Sequence, residues 1–305
     1  MKKAIAIILV AAMIFTFVGC SREQEVKTLR LGSMPTQSAA IYAVGVEKDI
    51  FKKHGVNIDL TIFKSAPERD AAAVAGELDG FMTDMMGHIN LIDKGYKFQI
   101  TSYEYENFGI MANKQSGIVD KAQLDEEKIG IAENTVTEYV VDQLLENSKI
   151  EKTQFVKIPD RLAAVLSNDI QLGVFPEPFT SIIKAKGGNI VVSSTEQGLQ
   201  PVILVFSEES IRKKNKEIKS FYKAYNETVD YMQEISYDEY KDVLIQYGLS
   251  KEETIDKIKL PVDKFAHAKM PNEDDFYKVV EWMKKKGLTE KAYNLQDVSS
   301  DEFVK

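Results

Sequence analysis

Five short polar stretches in this chain carry side chains that could hold a small molecule: Pro35-Thr36-Gln37-Ser38, Thr83-Asp84-Met85, the tyrosines of Thr101-Ser102-Tyr103-Glu104-Tyr105-Glu106-Asn107, Asn134-Thr135-Val136, and Pro176-Glu177-Pro178. Their chemistry is hydrogen bonding rather than bond breaking. Hydroxyl and amide groups of Thr36, Gln37 and Ser38 suit either ligand contact or helix capping. Asp84 is an acceptor for ligand N–H groups or, equally, the cap of the stretch that follows it. A period of two puts Tyr103 and Tyr105 on one face with Thr101, and Ser102, Glu104 and Glu106 on the other. Two tyrosines there can stack on a flat ligand and offer hydroxyls, or simply line the rim of a half-buried strand. Asn134 and Thr135 open a helix whose backbone N–H groups can receive an anionic or carbonyl oxygen. Glu177, between two prolines, is a carboxylate on a stiff loop.

Catalytic constellations are missing from the sequence. His54, His88 and His267 lie far apart with no H-x-x-H or H-E-x-x-H spacing, and neither a Gly-rich phosphate loop nor a G-x-S-x-G elbow occurs. His54 precedes Gly55 at a helix end, a structural position for a cation, while His88 stands near the Asp84 loop. The methionines of "FMTDMM" and Trp282 read as core. Acids and hydroxyls populate the five stretches, whereas Lys and Arg are absent from them apart from the more distant Lys114. A bare dianion would need desolvated positive partners. The expectation is therefore an aromatic or amine-bearing heterocycle rather than nitrate or a sulfonate, although a sulfonate held by helix N-termini alone also fits.

The elements that must position these groups alternate. "TLRLGSM" is a strand, the stretch after it a loop and a helix ending at Gly55, "VNIDLTIF" a strand, and "APERDAAAVAGELDGFMTDMM" a helix running into a strand. "GHINLIDKG" is a short helix, and residues 98–113 read as one long alternating strand. A second α/β unit follows, with strands at "KIGIAE", "QFVKIP" (154–159), "IQLGVF" and "NIVVSS" between helices. This spacing predicts doubly wound sheets of parallel strands. Beyond "QPVILVFSEESI" the chain is helical and charged, and those amphipathic helices are expected to cover the first unit.

At the N-terminus, Lys2 and Lys3 precede an apolar run from Ala4 to Gly19. At roughly 16 residues it is short of the ~20 that span a bilayer and suits an export signal. The run ends Phe17-Val18-Gly19-Cys20, which resembles a bacterial lipobox, with Phe17 in place of the usual Leu. Cys20, the single cysteine, is then the lipidation site, and no disulfide can form within the chain. Loss of residues 1–19 takes the net charge from −8 to −10. Such a surface argues against nucleic-acid binding and against electrostatic docking on anionic lipid, so the acyl chains, palmitate among them, must do the tethering.

The order of the pieces carries a family resemblance over roughly residues 28 to 235. "AIYAVGVEKDIFKKHGVNIDLTIF", "AGELDGFMTDMM", "GIAENTVTEYVVDQLL" and "LSNDIQLGVFPEPF" resemble successive stretches of ABC-transporter solute-binding proteins of the sulfonate, nitrate, taurine and thiamine-pyrimidine class. Ile50 and Asn168-Asp169-Ile170-Gln171 depart from that pattern. The resemblance implies a type 2 periplasmic-binding-protein-like fold, two doubly wound α/β lobes joined by two crossovers, here placed near Asn107–Asn113 and Gln200–Phe206. It divides the chain into a signal (1–19), a tether (20–27), lobe I (28–110 and 204–305) and lobe II (111–203). It further implies a monomeric, lipid-anchored, extracytoplasmic protein without cofactor or metal. Such a protein takes a small ligand between Thr36, Gln37, Asp84, Tyr103 and Tyr105 on one side and Asn134, Thr135 and Glu177 on the other, and delivers it to a membrane permease. A non-transport ligand sensor is the rival. The similar thiamine-pyrimidine synthase is an enzyme with a cysteine-rich iron site, for which one cysteine gives no equipment.

Overall fold

The computed structural model describes residues 27–124, 127–146, 148–258 and 260–305, so the signal, most of the tether and Cys20 lie outside the described residues. The chain builds two five-stranded sheets. The first has the order β2 (Asn57–Ile62), β1 (Thr28–Ser33), β3 (Gly80–Asp84), β10 (Val202–Ser207), β4 (Phe98–Tyr103). The second repeats the arrangement as β7 (Glu151–Gln154), β6 (Lys128–Ile131), β8 (Leu172–Pro176), β5 (Phe108–Ala112), β9 (Asn189–Ser193). Two α/β lobes are thus present, as the sequence implied, with helices packed on both sheets.

Three expectations need correction. The stretch 98–113 is not one strand: β4 ends at Tyr103 and β5 begins at Phe108, in different sheets. Nor are the sheets wholly parallel. β10 runs antiparallel to β3 and β4, and β5 antiparallel to β8 and β9, while β1, β2 and β3, like β6, β7 and β8, run parallel. The reversed strand in each sheet is the one that has just arrived from the other lobe. It enters from the side where the parallel strands end, so it must run against them. Finally, the strand expected over 154–159 lies earlier, at Glu151–Gln154, because Pro159 sits in the first turn of a helix, where its fixed φ and missing N–H are tolerated.

The crossings are Glu104–Asn107 and 194–201, so breaks after residue 110 and before residue 204 would cut through β5 and β10. The two crossings are tied together. Tyr103 Oη donates to Gln200 Oε1 at 2.6 Å, Thr195 Oγ1 donates to Asn107 Oδ1 at 2.9 Å, and the Phe108 N–H donates to Ser194 Oγ at 3.0 Å.

Five helices position the site: α1 (Gln37–Glu47), α2 (Ala66–Val74), α3 (Met85–Asp93), α4 (Val136–Leu144) and α5 (Ile158–Leu166). α6 (Phe179–Ala185) packs on the second sheet. α1 is buried along nearly its whole length under α7 (Asn215–Glu234), and α8 (Glu273–Lys285) lies against α3. The C-terminal helices therefore cover the first lobe. Within it, Phe221 of α7 stacks on Phe51 at 5.4 Å and meets Tyr42, Phe206 and Tyr225 at about 6 Å, an aromatic centre that fixes α7 over α1.

Candidate functional site

The carboxyl ends of the parallel strands in both sheets face one cleft, which in this arrangement closes over a cavity of about 120 Å³. Strand ends and helix starts meet there because each β–α connection is short. The lining is apolar over most of its area, with Met34, Met82, Phe108, Val136, Ile158 and Pro176, and it is interrupted by a few charged groups.

Asp84, at the end of β3, does two things at once. Its Oδ1 accepts from the Gly87 N–H at 2.7 Å, capping α3, and its Oδ2 accepts from the Val136 N–H at 3.3 Å across the cleft. The capping and contact roles weighed from sequence are therefore both occupied, and the N-terminus of α4 already holds a carboxylate. Burial raises the Asp84 carboxyl above its ordinary value, against the pull of Arg69 and the two N–H donors.

Other sequence-expected residues divide. Thr36 and Thr135 line the cavity with Asp84. Thr135 caps α4, with its hydroxyl donating to Ala132 O at 2.8 Å and accepting from the Thr137 N–H. Asn134, beside it, is exposed and left-handed at φ 59°, and its N–H donates to Glu138 Oε2 at 2.8 Å. Gln37 is fully buried, and its Nε2 donates to Tyr105 O at 2.8 Å, binding α1 to the first crossing. Glu177 stands just before α6 and accepts from the Ser181 N–H in its first turn at 3.2 Å. Tyr103 and Tyr105 are absent from the lining, and Tyr103 belongs to the hinge described above.

The two faces separate as the period of two predicts, and the tyrosine face is the half-buried one. Glu104 and Glu106 are each 1% exposed, the tyrosines only half-buried. Glu106 lines the cavity, and its Oε1 accepts from the Ser38 N–H at 2.9 Å at the start of α1. The helix N-terminus stabilises a carboxylate that a half-buried strand could not. Burial pushes Glu106 up to about 7 and Glu104 up to about 8.

The expected absence of arginine is also overturned. Arg69 and Arg161, 2% and 1% exposed, both line the cavity. Each lies on the second residue after the proline that opens its helix, Pro67-Glu68-Arg69 in α2 and Pro159-Asp160-Arg161 in α5. Each guanidinium also covers a phenylalanine of the neighbouring strand, Phe81 at 5.6 Å and Phe175 at 5.1 Å. Repetition of Pro-acid-Arg at the two helix starts was a signal available in the sequence. Its meaning depends on knowing that the two helices are equivalent in the two lobes. Arg69 is held by Asp70 at 2.7 Å, whereas Arg161 donates to Phe155 O and its Nε has no partner among the described residues. Burial without a carboxylate brings Arg161 down to about 10. His88, by contrast, lies away from the cavity in the core of the first lobe, bonded to Phe98 O and held neutral by burial at about 4. No His, Cys, Asp and Glu grouping suited to a metal ion occurs among the described residues.

Family comparison fits this geometry. The model of the NMT1-like family matches residues 22–247, about three quarters of the chain. The chain belongs to the NMT1-like family. This NMT1-like protein also shares its fold with solved structures. The ligand-binding component of an ABC-type import system from Staphylococcus aureus superposes with a TM-score of 0.73 at 13% identity, covering 91% of this chain and 98% of that one. The alkanesulfonate-binding protein SsuA of Xanthomonas axonopodis pv. citri, bound to MOPS, gives 0.73 at 12% identity over 90% and 98%. The periplasmic nitrate-binding protein NrtA of Synechocystis PCC 6803 gives 0.70 at 14% over 90% and 85%. A Candida albicans gene product described as having the generic periplasmic binding protein fold gives 0.62 at 14% over 91% and 97%. No curated protein matches in sequence. No described helix is long and apolar enough to cross a membrane.

Proposed function

We propose that this NMT1-like protein is the substrate-binding component of an ABC importer, a lipoprotein tethered outside the cell membrane through Cys20 that presents its ligand to a permease as a monomer. Family membership, the two-lobed fold shared with import-system proteins, and a closed cleft with a small mixed-polarity cavity support that reading. The preferred ligand is a small amine-bearing heterocycle of the aminopyrimidine kind. One observation carries this choice: the helix N-termini at the cleft already hold the chain's own carboxylates, Asp84 on the Val136 N–H and Glu106 on the Ser38 N–H. Acceptors that face a ligand in this way select N–H donors.

A second reading has its own observation. Arg161 is buried with a free Nε–H, which favours a ligand with an anionic or acceptor group, as in the sulfonates and nitrate named for the structural neighbours. An aminoalkanesulfonate satisfies both ends. Native mass spectrometry of residues 21–305, followed by thermal shift against aminopyrimidines, aminosulfonates, simple sulfonates and nitrate, separates the readings. The expected outcome is a selective rise of several degrees with N–H-bearing probes, reduced about tenfold in affinity by Arg161→Gln when the probe also carries an acceptor. A response confined to nitrate and simple sulfonates would sink the amine reading and leave transport standing.

A further inference from the structure

Glu104 and Glu106 alternate along the first crossing, both nearly inaccessible, with Oε2 of each lacking a hydrogen-bond partner among the described residues. An unpaired carboxylate in that position is among the least favourable groups a protein can bury. Their surroundings supply hydroxyls and little else. The end of β4 contributes Tyr103 and the crossing Tyr105, α1 contributes Tyr42 and Ser38, and α7 contributes Tyr222 and Tyr225; burial and the field of Glu104 hold the hydroxyls of Tyr42, Tyr222 and Tyr225 neutral. Ser102 Oγ donates to Glu104 at 3.3 Å, and the Ser38 N–H takes one oxygen of Glu106. Across the cavity stand Asp84 and Glu133, further acidic groups, and two arginines, Arg69 held by Asp70 and over Phe81, Arg161 bonded to Phe155 O and over Phe175 with its Nε–H left free among the described residues. Burial is the first cause of the raised carboxyls, and an ionised Glu106 further disfavours the ionised form of Glu104.

Resting on the amine reading of the cleft, we infer that Glu106 is the specificity-determining residue, a buried acid that gives up its proton to solvent when a cationic N–H group of the ligand arrives and forms an ion pair with it. The bookkeeping is one proton released per cation captured, with no other bond made or broken. Glu104 does not line the cavity; burial keeps Glu106 protonated while the cleft is empty, and the charge Glu106 acquires on ionising pushes Glu104 higher still. The perturbed carboxyls, about 7 and about 8, set where this linkage operates. Below pH 7 each unit of acidification should weaken a cationic ligand by up to tenfold, and above it the affinity should level off. A neutral or anionic probe should show no such slope.

Infrared spectroscopy of the ligand-free protein tests the first half: a protonated-carboxyl carbonyl band at pH 6 should diminish in Glu106→Gln and separately in Glu104→Gln. Absence of that band, or an undiminished band in Glu106→Gln, overturns the proposal without any ligand. Calorimetry with protonated 4-amino-2-methylpyridine, thiamine and taurine as probes, and ethanesulfonate and nitrate as controls, tests the second half at pH 5.5, 6.5 and 8. Tight binding of a cationic probe that rises to pH 7, releases a proton, and is lost in Glu106→Gln but retained in Glu104→Gln supports it. Amine binding that is flat with pH and indifferent to Glu106→Gln overturns it and leaves the amine reading intact. Binding of nitrate or ethanesulfonate alone overturns both.

Discussion

Glu104, Glu106 and His88 make stability depend on pH in opposite directions. The two acids hold protons in the folded state that an unfolded chain, with carboxyls near 4.5, has already released. The folded state therefore binds more protons, and stability must fall as pH rises from about 4.5 towards 7 and 8. His88 is neutral in the fold down to about 4 but titrates at 6.5 when unfolded, so its contribution rises with pH between those values and is complete above 6.5. Between pH 6.5 and 8 only the acid contribution is left of these three, with a slope of up to about 1.4 kcal/mol per unit for each group still titrating. Chemical denaturation at pH 6.5, 7.25 and 8 should show falling stability in the native protein and a flatter profile in Glu104→Gln and Glu106→Gln. A native profile that rises over this window would contradict the burial of these acids. At this scale sequence located the right segment and the separation of its two faces. Alternation says which residues share a side, whereas the N–H groups at the start of α1 that make the acids tolerable inside come from a helix 68 residues away in sequence.

At the scale of elements, α8 crosses from the first lobe to α4 of the second. Trp282 Nε1 donates to Asp142 Oδ2 at 3.0 Å, its ring meets Tyr139 edge-on at 5.4 Å, and Lys286 Nζ donates to Glu138 Oε1 at 2.5 Å. Glu138 in turn takes the N–H of Asn134, next to the cavity-lining Thr135. On the other flank Lys157 pairs with Glu68 at 3.5 Å, between half-exposed side chains, and that pair contributes little. The α8 contacts are more buried and should bias the lobes towards closure. Because Trp282 is the only tryptophan, its emission reads that contact directly. Asp142→Ala and Lys286→Met are expected to red-shift the emission, raise its quenching by acrylamide and enlarge the radius of gyration in solution scattering. Unchanged emission and radius in both variants would mean that other contacts hold the lobes. The sequence identified Trp282 as a core residue of an amphipathic helix, and 6% exposure agrees. That its N–H would face the opposite lobe could not be read from helical periodicity, which ranks faces by polarity but does not name the partner.

For the whole molecule, the two lobes are built alike. Each has five strands in the same order, an opening Pro-acid-Arg helix, an arginine over a phenylalanine, and one reversed strand contributed by the crossing. The two crossings that join the lobes are cross-linked by Tyr103–Gln200 and Asn107–Thr195. The proposed anchor is tested on the intact chain in a bacterial host: Cys20→Ser should move the protein from the membrane fraction to the soluble extracytoplasmic fraction. Retention in the membrane would show that the apolar run at residues 4–19 holds it there instead.

Local patterning by itself determined a good deal here. Apolar periodicity, glycine-terminated helices and the order of strand and helix fix two α/β units with a helical C-terminal cover, because those signals act over a few residues and survive without knowledge of partners. Boundaries set by chain reversal between sheets were missed: alternation continues through Glu104–Asn107 even though the chain is changing lobes there. The contents of the cleft were decided only by tertiary structure. Arg69 and Arg161 stand 92 positions apart and become neighbours of one cavity through closure of the lobes, and Glu106 enters it because α1 supplies the N–H that makes a buried carboxyl bearable. Charge in a binding site is a property of what faces it from both sides, and no single stretch of sequence carries that information.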